Sequence, residues 1–171
     1  MLTTTLPGPC GYRRLHYLRY ADDTLFGLTG PRAEAEEIKE RLTTFLRDEL
    51  HLELSAEKTL ITHARTGAAK FLGYEITTQH SGTSGRKRIN GSIALRVPIP
   101  VIKAKCSPYL ARGKPAAQTA LHNRSDYDIV AAYGAQYRGI VQYYLLAGDI
   151  HRMERLRWVM ETSLLKTLGA P

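Results

Sequence analysis

The chain has 171 residues, of which 43% are hydrophobic, and it carries a net charge of +8 at pH 7. This length allows one domain or two small ones, and the hydrophobic content excludes a disordered chain because it suffices for a buried core. The sequence has no run long enough for a membrane-spanning helix and no secretory signal at its start, so we expect a cytoplasmic protein without a membrane partner.

The two cysteines do not indicate a disulfide or a zinc site. Cys10 and Cys106 lie far apart in the sequence and have no Cys or His partners at metal-ligand spacing. Thiols of cytoplasmic proteins are ordinarily reduced. We therefore predict two free thiols without a chemical role.

The positive charge is concentrated in one part of the sequence. From Ile76 to Ser125 there is no Asp or Glu, and nine Lys and Arg fall in that stretch, whereas the rest of the chain has 15 basic and 16 acidic residues. A solvated basic face is the simpler interpretation, but fifty residues without one acid favour contact with a nucleic-acid backbone. The predicted contacts are Arg86, Lys87, Arg88, Arg96, Lys103, Lys105, Arg112, Lys114 and Arg124.

The first regular element in chain order is a β-hairpin that contains two adjacent acids. Residues 1–14 show no periodicity and are predicted to form a loop or a frayed terminus. After them, two short runs rich in leucine and aromatic residues flank Asp22 and Asp23, which predicts two strands joined by a tight turn. Adjacent carboxylates repel each other, so a divalent cation between them would stabilise the pair. An ordinary turn is the alternative, and two acids alone favour it because Asp is a common turn residue.

A helix is predicted from about residue 31 to residue 50. Pro31 suits its first turn, and acidic residues follow there, where the helix dipole favours negative charge. Apolar residues then recur at spacings of three and four, which gives one apolar face. We expect this face to pack against the sheet of the hairpin. Its members are Ala35, Ile38, Leu42, Phe45, Leu46 and Leu50.

Two further strands are predicted between residues 71 and 97. The first, from Phe71 to Ile76, is apolar and aromatic, with Gly73 at its centre, where the missing side chain permits the close approach of another chain or a ligand. A polar loop with the basic triplet 86–88 follows. Alternating apolar residues at 93, 95 and 97 then indicate the return strand.

The rest of the sequence is predicted to be helical. The prolines of 97–100 mark a boundary, after which a helix from about 102 to 111 ends at glycine and proline residues. Ser125 and Asp128 indicate a capping box at the start of a second helix, and Asp149 is predicted to cap a third, whose apolar face extends from 150 to 168. The short link between the last two helices predicts an antiparallel pair. The fold class is therefore α+β: a sheet with one packed helix, followed by a small helical bundle.

The segment Arg19-Tyr20-Ala21-Asp22-Asp23 resembles the Tyr-x-Asp-Asp metal-binding motif of reverse transcriptases. Its alanine, together with the segments that follow, is most similar to the reverse transcriptase/maturase proteins of group II introns. The resemblance implies that the two aspartates are catalytic and bind Mg²⁺, with Mn²⁺ as an alternative.

Two further sites are implied by this resemblance in the first half of the chain. Lys58 matches a lysine near the incoming nucleotide that assists the leaving pyrophosphate, a role for which a cation is suited. A surface lysine in a turn is the alternative. Phe71, Leu72 and Gly73 match the start of the hairpin called the primer grip.

Three segments of the second half resemble the thumb and maturase region of the same family. Arg112-Gly113-Lys114-Pro115 is similar to its Gly-Lys-Pro element, and 162–169 to its Ser-x-x-Lys-Thr-Leu-Ala element. The segment 138–144 is similar to Arg-Gly-hydrophobic-x-Asn-Tyr-Tyr, except that Gln142 stands where Asn is usual. Arg138 thereby joins the predicted RNA contacts. The tyrosines are core residues in the simpler interpretation, and stacking on RNA bases is the alternative.

The resemblance implies that 1–97 form the C-terminal part of a reverse transcriptase palm and that 98–171 form a truncated thumb/maturase region. In polymerases of this kind an earlier palm strand supplies a further Asp, and the first 19 residues contain no acid. Two-metal phosphoryl transfer requires carboxylates that hold both ions. We therefore expect an RNA-directed DNA polymerase with a maturase role in intron splicing and mobility, whose isolated chain is inactive.

The partners follow from the same resemblance. They are intron RNA, an RNA template with its DNA primer, and dNTPs once a complementary N-terminal reverse transcriptase fragment completes the palm. Two alternatives stay open at this point. One is a non-enzymatic RNA-binding maturase module, and the other is a degenerate remnant without activity.

Overall fold

The computed structural model describes residues 2–4, 14–79 and 91–169 and divides into two compact units, Met1–Ala94 (unit 1) and Leu95–Pro171 (unit 2). Unit 1 combines one long helix with small sheets, and unit 2 is mainly helical. The predicted α+β class is confirmed, whereas the palm and thumb identities of 1–97 and 98–171 stay predictions. Within the described ranges, no helix has the length and apolar character needed to cross a membrane.

The main sheet of unit 1 has four strands in the order β2-β3-β1-β4. These are β1 (Leu2–Thr4), β2 (Arg14–Tyr20), β3 (Asp23–Thr29) and β4 (Thr62–His63). The predicted hairpin is confirmed as the antiparallel pair β2–β3, and β1 lies parallel to both β3 and β4. The assignment of 1–14 to a loop is therefore wrong for β1. This segment pairs because the facing backbone groups of β3 and β4 need hydrogen-bond partners.

The long helix of unit 1, α1 (Arg32–Leu50), has the predicted bounds within one or two residues. Pro31 precedes it in an extended conformation and gives no side-chain cap, and His51 ends it with φ of 52°. The predicted apolar face is only partly correct. Ala35 is fully buried, but the Phe45 side chain is 53% exposed. The Nζ of Lys39 donates to the Thr59 carbonyl at 2.7 Å, which ties the helix to the segment that follows it.

A second sheet has the strand order β5-β6-β7, formed by β5 (Ala69–Phe71), β6 (Tyr74–Thr78) and β7 (Ile93–Arg96). The predicted return strand is thus confirmed as β7, through which the chain passes from unit 1 into unit 2. Thr78 adds a buried hydrogen bond from its hydroxyl to the Ala64 carbonyl at 3.1 Å. The polar loop predicted between the strands lies mostly outside the described residues.

The first helix of unit 2, α2 (Ile99–Cys106), corrects the prediction of a helix over 102–111. It begins earlier because Pro98 and Pro100 stand before and within its first turn, where no backbone N–H is required. It ends earlier because a 3-10 turn over Ser107–Tyr109 follows, after which Leu110 is extended. Two short strands follow, β8 (Leu110–Ala111) and β9 (Lys114–Pro115). They stand where the end of the helix and the residues that terminate it were predicted.

The helix α3 (Asp126–Tyr143) begins at the predicted capping box. The Ser125 hydroxyl oxygen accepts from the Asp128 backbone N–H at 3.2 Å, and its proton is directed to the Asp128 carboxylate at 2.7 Å. On this helix, Ile129 and Tyr133 are buried.

Asp149 does not cap a helix with its side chain, contrary to the prediction. Its Oδ1 accepts from the backbone N–H of Val97 at 2.9 Å, and its Oδ2 lies 3.1 Å from Nε of Arg152. The adjacent Gly148 N–H donates to the Leu95 carbonyl at 2.9 Å. The buried carboxylate therefore holds the beginning of unit 2 against the link between its last two helices.

The last helix, α4 (Glu154–Leu168), packs against α3 and α2 and completes the predicted bundle. Its buried face differs from the predicted stripe near the end. Leu165 is 71% exposed, whereas Ser163 and Thr167 are buried. Cys106 is a buried free thiol, as predicted, and burial raises its pKa above the usual value. Cys10 lies outside the described residues.

Candidate nucleic-acid interface and metal centre

The predicted metal-binding pair lies at the tip of the β2–β3 hairpin, here termed the acidic hairpin. Tyr20 pairs with Asp23, so Ala21 and Asp22 form a two-residue turn. Ala21 has φ of 50°, a left-handed conformation that disfavours residues with a Cβ. The Nε of Arg19 donates to the Ala21 carbonyl at 2.7 Å and stabilises this turn.

The carboxylates of Asp22 and Asp23 are exposed and chemically suited to a hard divalent cation. In the described part of the chain, neither carboxylate takes part in a hydrogen bond or an ion pair. Nor does any group of three or more His, Cys, Asp and Glu occur there in an arrangement that could hold a metal. The hairpin thus offers two oxygen ligands without a third residue to complete a site.

Lys58 is exposed in a turn after α1, and no hydrogen bond or ion pair joins it to another described residue. Next to it, the Thr59 N–H donates to the Ser55 carbonyl at 3.0 Å and fixes the turn. The role of Lys58 at the nucleotide phosphates stays a prediction.

The predicted primer-grip residues form a turn and not the centre of one strand. Phe71 ends β5 and pairs with Tyr74 at the start of β6, which leaves Leu72 and Gly73 between them with φ of 48° and 74°. Two successive left-handed residues are typical of the tight turns that match the twist of paired strands. Gly73 is therefore required by the turn, and the role of the segment in positioning a primer stays a prediction.

The predicted basic contacts divide into those that the structure describes and the triplet Arg86, Lys87 and Arg88, which lies outside the described residues. The seven others are all exposed and belong to unit 2, and none forms an ion pair with a described acid. We refer to them as the unpaired basic set: Arg96, Lys103, Lys105, Arg112, Lys114, Arg124 and Arg138. Unit 2 has eleven Lys and Arg against five Asp and Glu, so it carries +6 of the net charge of +8.

Other arginines are paired with acids. Arg32, Arg41 and Arg157 each form an ion pair with a glutamate one helical turn away, at 2.6 to 2.8 Å. Arg47 pairs with Asp48 at 2.7 Å, and this contact lowers the pKa of the Asp48 carboxyl. The contrast separates cations whose charge is locally compensated from cations that are available to an external polyanion.

Arg112 and Lys114 belong to the β8–β9 pair, here termed the basic hairpin, where Arg112 and Gly113 form the turn. Four residues that the sequence analysis did not assign to the site, here termed the anchor residues, connect this hairpin to α3 and α4. They are Tyr133, Ser163, Lys166 and Thr167. Their signal in the sequence is weak, because Ser163 and Thr167 interrupt the apolar face of α4 in the manner of ordinary surface residues.

The second half of the chain matches a protein-family model. Residues 90–170 fit the family described as type II intron maturase. This range contains unit 2, the unpaired basic set and the anchor residues. Over this range the chain is similar to type II intron maturases.

Individual relatives extend the similarity over most of the chain. The group II intron-encoded protein LtrA of Lactococcus lactis subsp. cremoris is 35% identical over 91% of this chain and 28% of the relative. The putative COX1/OXI3 intron 1 protein of Saccharomyces cerevisiae is 33% identical over 93% of this chain and 21% of the relative. The putative COX1/OXI3 intron 2 protein of the same yeast is 27% identical over 92% of this chain and 20% of the relative. The chain thus spans between a fifth and about a quarter of the length of these curated relatives.

Proposed function

We propose that this chain acts as a maturase-type RNA-binding unit, in which the unpaired basic set of unit 2 contacts the backbone of intron RNA. In this proposal, 1–97 correspond to the end of a reverse transcriptase palm and 98–171 to the thumb/maturase region. The similarity to type II intron maturases supports intron RNA as the partner. We propose the cytoplasm as its location.

One observation carries the proposal: seven exposed cations of unit 2 have no acidic partner among the described residues. Like charges on one small unit repel each other, so such a surface is stabilised by a polyanion. Binding to RNA releases condensed counterions from the phosphates, which favours association at low salt. Arginine also forms two parallel hydrogen bonds to a phosphate, a geometry that lysine lacks.

The polymerase function is the second candidate, and the acidic hairpin supports it. We propose that Asp22 and Asp23 supply two of the carboxylates that hold Mg²⁺, or Mn²⁺ as an alternative, in an RNA-directed DNA polymerase. Such ions stabilise the charges of the attacking and leaving oxygens in phosphoryl transfer. Lys58 would neutralise the departing phosphate, and Phe71 to Gly73 would hold the primer end on its RNA template.

The two candidates differ in what each requires. RNA binding by unit 2 requires only groups that are present among the described residues. Polymerase activity requires a further carboxylate and a nucleotide-binding site, which we propose are contributed by a complementary reverse transcriptase polypeptide. RNA binding without catalysis is therefore the function that the 171 residues support best.

The salt dependence of RNA affinity tests the proposal. Replacing Lys103, Lys105, Arg124 and Arg138 by Gln removes four unpaired cations. The association constant for a transcribed group II intron RNA decreases as salt increases. We expect the magnitude of the slope of its logarithm against log salt to fall by about 3, because each phosphate contact contributes roughly 0.7 to 0.9. Filter binding or fluorescence anisotropy between low and moderate salt gives this slope.

A matched control removes the same number of charges from paired positions. The variant Arg32→Gln/Arg41→Gln/Arg47→Gln/Arg157→Gln changes net charge equally, but each of these arginines has a carboxylate within 2.8 Å. We expect a nearly unchanged slope. An equal decrease in both variants would show that net charge, and not the unpaired basic set, determines RNA affinity.

A further inference from the structure

The turn of the basic hairpin has a conformation that its own sequence does not favour. Leu110 pairs with Pro115 and Ala111 with Lys114, which leaves Arg112 and Gly113 with φ of 51° and 76°. Glycine adopts this left-handed conformation freely, but an arginine does not, because its Cβ approaches the backbone. Contacts outside the turn must therefore help to hold it.

Those contacts come from one face of the last turns of α4. The Ser163 hydroxyl donates to the Ala116 carbonyl at 2.5 Å, and Nζ of Lys166 donates to the Pro115 carbonyl at 2.8 Å. The Thr167 hydroxyl oxygen accepts from the backbone N–H of Gln118 at 3.0 Å. Side chains spaced three and four residues apart on a helix lie on the same face, so three of the anchor residues reach β9 and the residues that follow it.

The protons in this network can be assigned. Ser163 uses its hydroxyl proton for the Ala116 carbonyl, and Thr167 uses its own for the Ser163 carbonyl at 2.8 Å. The Tyr133 hydroxyl lies 2.9 Å from the Ser163 oxygen and 3.2 Å from the Thr167 oxygen, so its single proton is shared between these two acceptors. Because Tyr133, Ser163 and Thr167 are buried, loss of one partner leaves another polar group unsatisfied.

The segment that leads into the turn is held as well. The Tyr109 ring lies 5.3 Å from that of Tyr133, and its hydroxyl donates to Oε1 of Gln136. The Ala116 N–H donates to the Tyr109 carbonyl at 3.0 Å, and Nε2 of Gln118 donates to the Pro108 carbonyl at 2.6 Å. Both strands of the basic hairpin are thus fixed to the helical core, while Arg112, Gly113 and Lys114 are exposed.

We propose that the tip Arg112-Gly113-Lys114 is a preformed contact for the phosphodiester backbone of structured RNA, and that the anchor residues are positioning residues for it. This inference rests on the proposed RNA-binding function and names one rigid element within it. A Cβ at Gly113 would meet no atom within 4 Å, so the tip projects into open space. A cation held in place before binding loses less conformational entropy than one on a mobile side chain or loop.

Two kinds of variant separate charge from geometry at the tip. Arg112→Asn/Lys114→Gln removes both charges but keeps the turn, since Asn accepts the left-handed conformation and Asn-Gly is favoured in this turn type. Gly113→Ala keeps both charges but strains the turn at φ of 76°. Ser163→Ala keeps the charges and removes a link between α4 and the hairpin.

The experiment measures the affinity of the full chain for a folded group II intron RNA as a function of salt. We expect Arg112→Asn/Lys114→Gln to reduce the magnitude of the slope of the log association constant against log salt by about 1.5, since each phosphate contact contributes about 0.7 to 0.9. We expect Gly113→Ala to weaken binding about three- to tenfold at unchanged net charge. We expect Ser163→Ala to weaken RNA binding as well.

The control variants make the same kinds of substitution at positions outside the tip. Gly134→Ala adds the same methyl group within α3, where a Cβ meets no atom within 4 Å, and is expected to leave RNA affinity unchanged. Arg157→Gln removes a cation that is already paired with Glu161 at 2.7 Å. Far-UV circular dichroism and the fluorescence of Trp158, the single tryptophan, report whether each variant keeps its fold.

Each outcome decides one claim. If the tip variants bind like the original chain while Lys103→Gln/Lys105→Gln/Arg124→Gln/Arg138→Gln weakens binding, the tip contact is wrong and the proposed function stands. If neither set weakens binding, the proposed function fails as well. If the charge variant weakens binding but folded Gly113→Ala does not, the tip touches RNA without being preformed, and the positioning role is overturned.

Discussion

The two units differ in how well the described residues of each bury apolar side chains. In unit 1 the buried core consists of Leu28, Ile76 and several alanines, and β2 is exposed along its full length. In unit 2 the buried core includes Leu156, Met160 and other large side chains from all three helices. Burial of such side chains contributes about 1.5 to 3 kcal/mol each. The described residues of the unit with the acidic hairpin therefore bury fewer large side chains than those of the unit with the basic hairpin.

The acidic hairpin and the basic hairpin differ in how their turns are supported. Both have a two-residue turn whose first residue is left-handed, Ala21 in one and Arg112 in the other. The acidic turn is supported by one arginine contact from within its own hairpin. The basic turn is supported by buried hydroxyl groups of α3 and α4. Among the described residues, the basic turn is therefore held by the helical core of unit 2, whereas the acidic turn is held within its own hairpin.

The largest expected effect concerns catalysis. We expect the purified chain to extend no primer on an RNA template in the presence of Mg²⁺, because two carboxylates do not hold the two ions that phosphoryl transfer requires. We also expect Asp22→Ala/Asp23→Ala to retain full affinity for intron RNA, because the unpaired basic set lies in unit 2. Primer extension and anisotropy measure the two properties on the same preparations. Extension that the double variant abolishes would mean that this chain assembles a complete site, and the contrast between the hairpins would disappear.

The next effect concerns the packing of the units. Leu156→Ala should lower the free energy of unfolding of unit 2 by about 2 to 5 kcal/mol, because the side chain is fully buried and leaves a cavity. The matched change Leu18→Ala in β2 should alter stability by about 0.5 kcal/mol or less, because that side chain is 55% exposed. Denaturant titration followed by circular dichroism and Trp158 fluorescence gives both values. Equal losses would indicate that the exposed side of β2 is covered in solution.

The smallest effect concerns the helix caps. Ser125→Ala should destabilise α3 by about 1 kcal/mol, because the Asp128 N–H loses its acceptor, while Ser125→Asp keeps an acceptor and serves as the control. Pro31 has φ −68° and ψ 157°, close to the φ −66° and ψ 152° of Ser125, but it provides no side-chain cap. Pro31→Ser should therefore stabilise α1 by less than about 1 kcal/mol, since the new cap is partly offset by a more flexible unfolded chain. Hydrogen exchange of the first-turn amides measures both changes, and a loss of protection at α1 would contradict the prediction.

Much of the fold follows from local signals in the sequence. The acidic hairpin, α1, β7 and the capped start of α3 were all predictable, because turn residues, apolar periodicity and a capping box act over a few neighbouring positions. The start of α2 was not, because a proline that breaks a helix internally is also favoured in its first turn. Asp149 shows the limit of such rules. Its carboxylate accepts from the N–H of Val97, which is far away in the sequence, and does not cap the helix that follows it.

The sequence by itself determined the family resemblance, the two adjacent aspartates and the acid-free basic stretch, because residue identity and spacing are local properties of the chain. Only the tertiary structure decided which cations lack a partner and which residues hold the basic hairpin. Ser163 and Thr167 look like interruptions of an apolar face until α4 lies against the segment after β9, whose backbone groups they bind. The physical reason is that a buried hydroxyl needs a hydrogen-bond partner, and the fold alone determines which distant backbone group comes within reach.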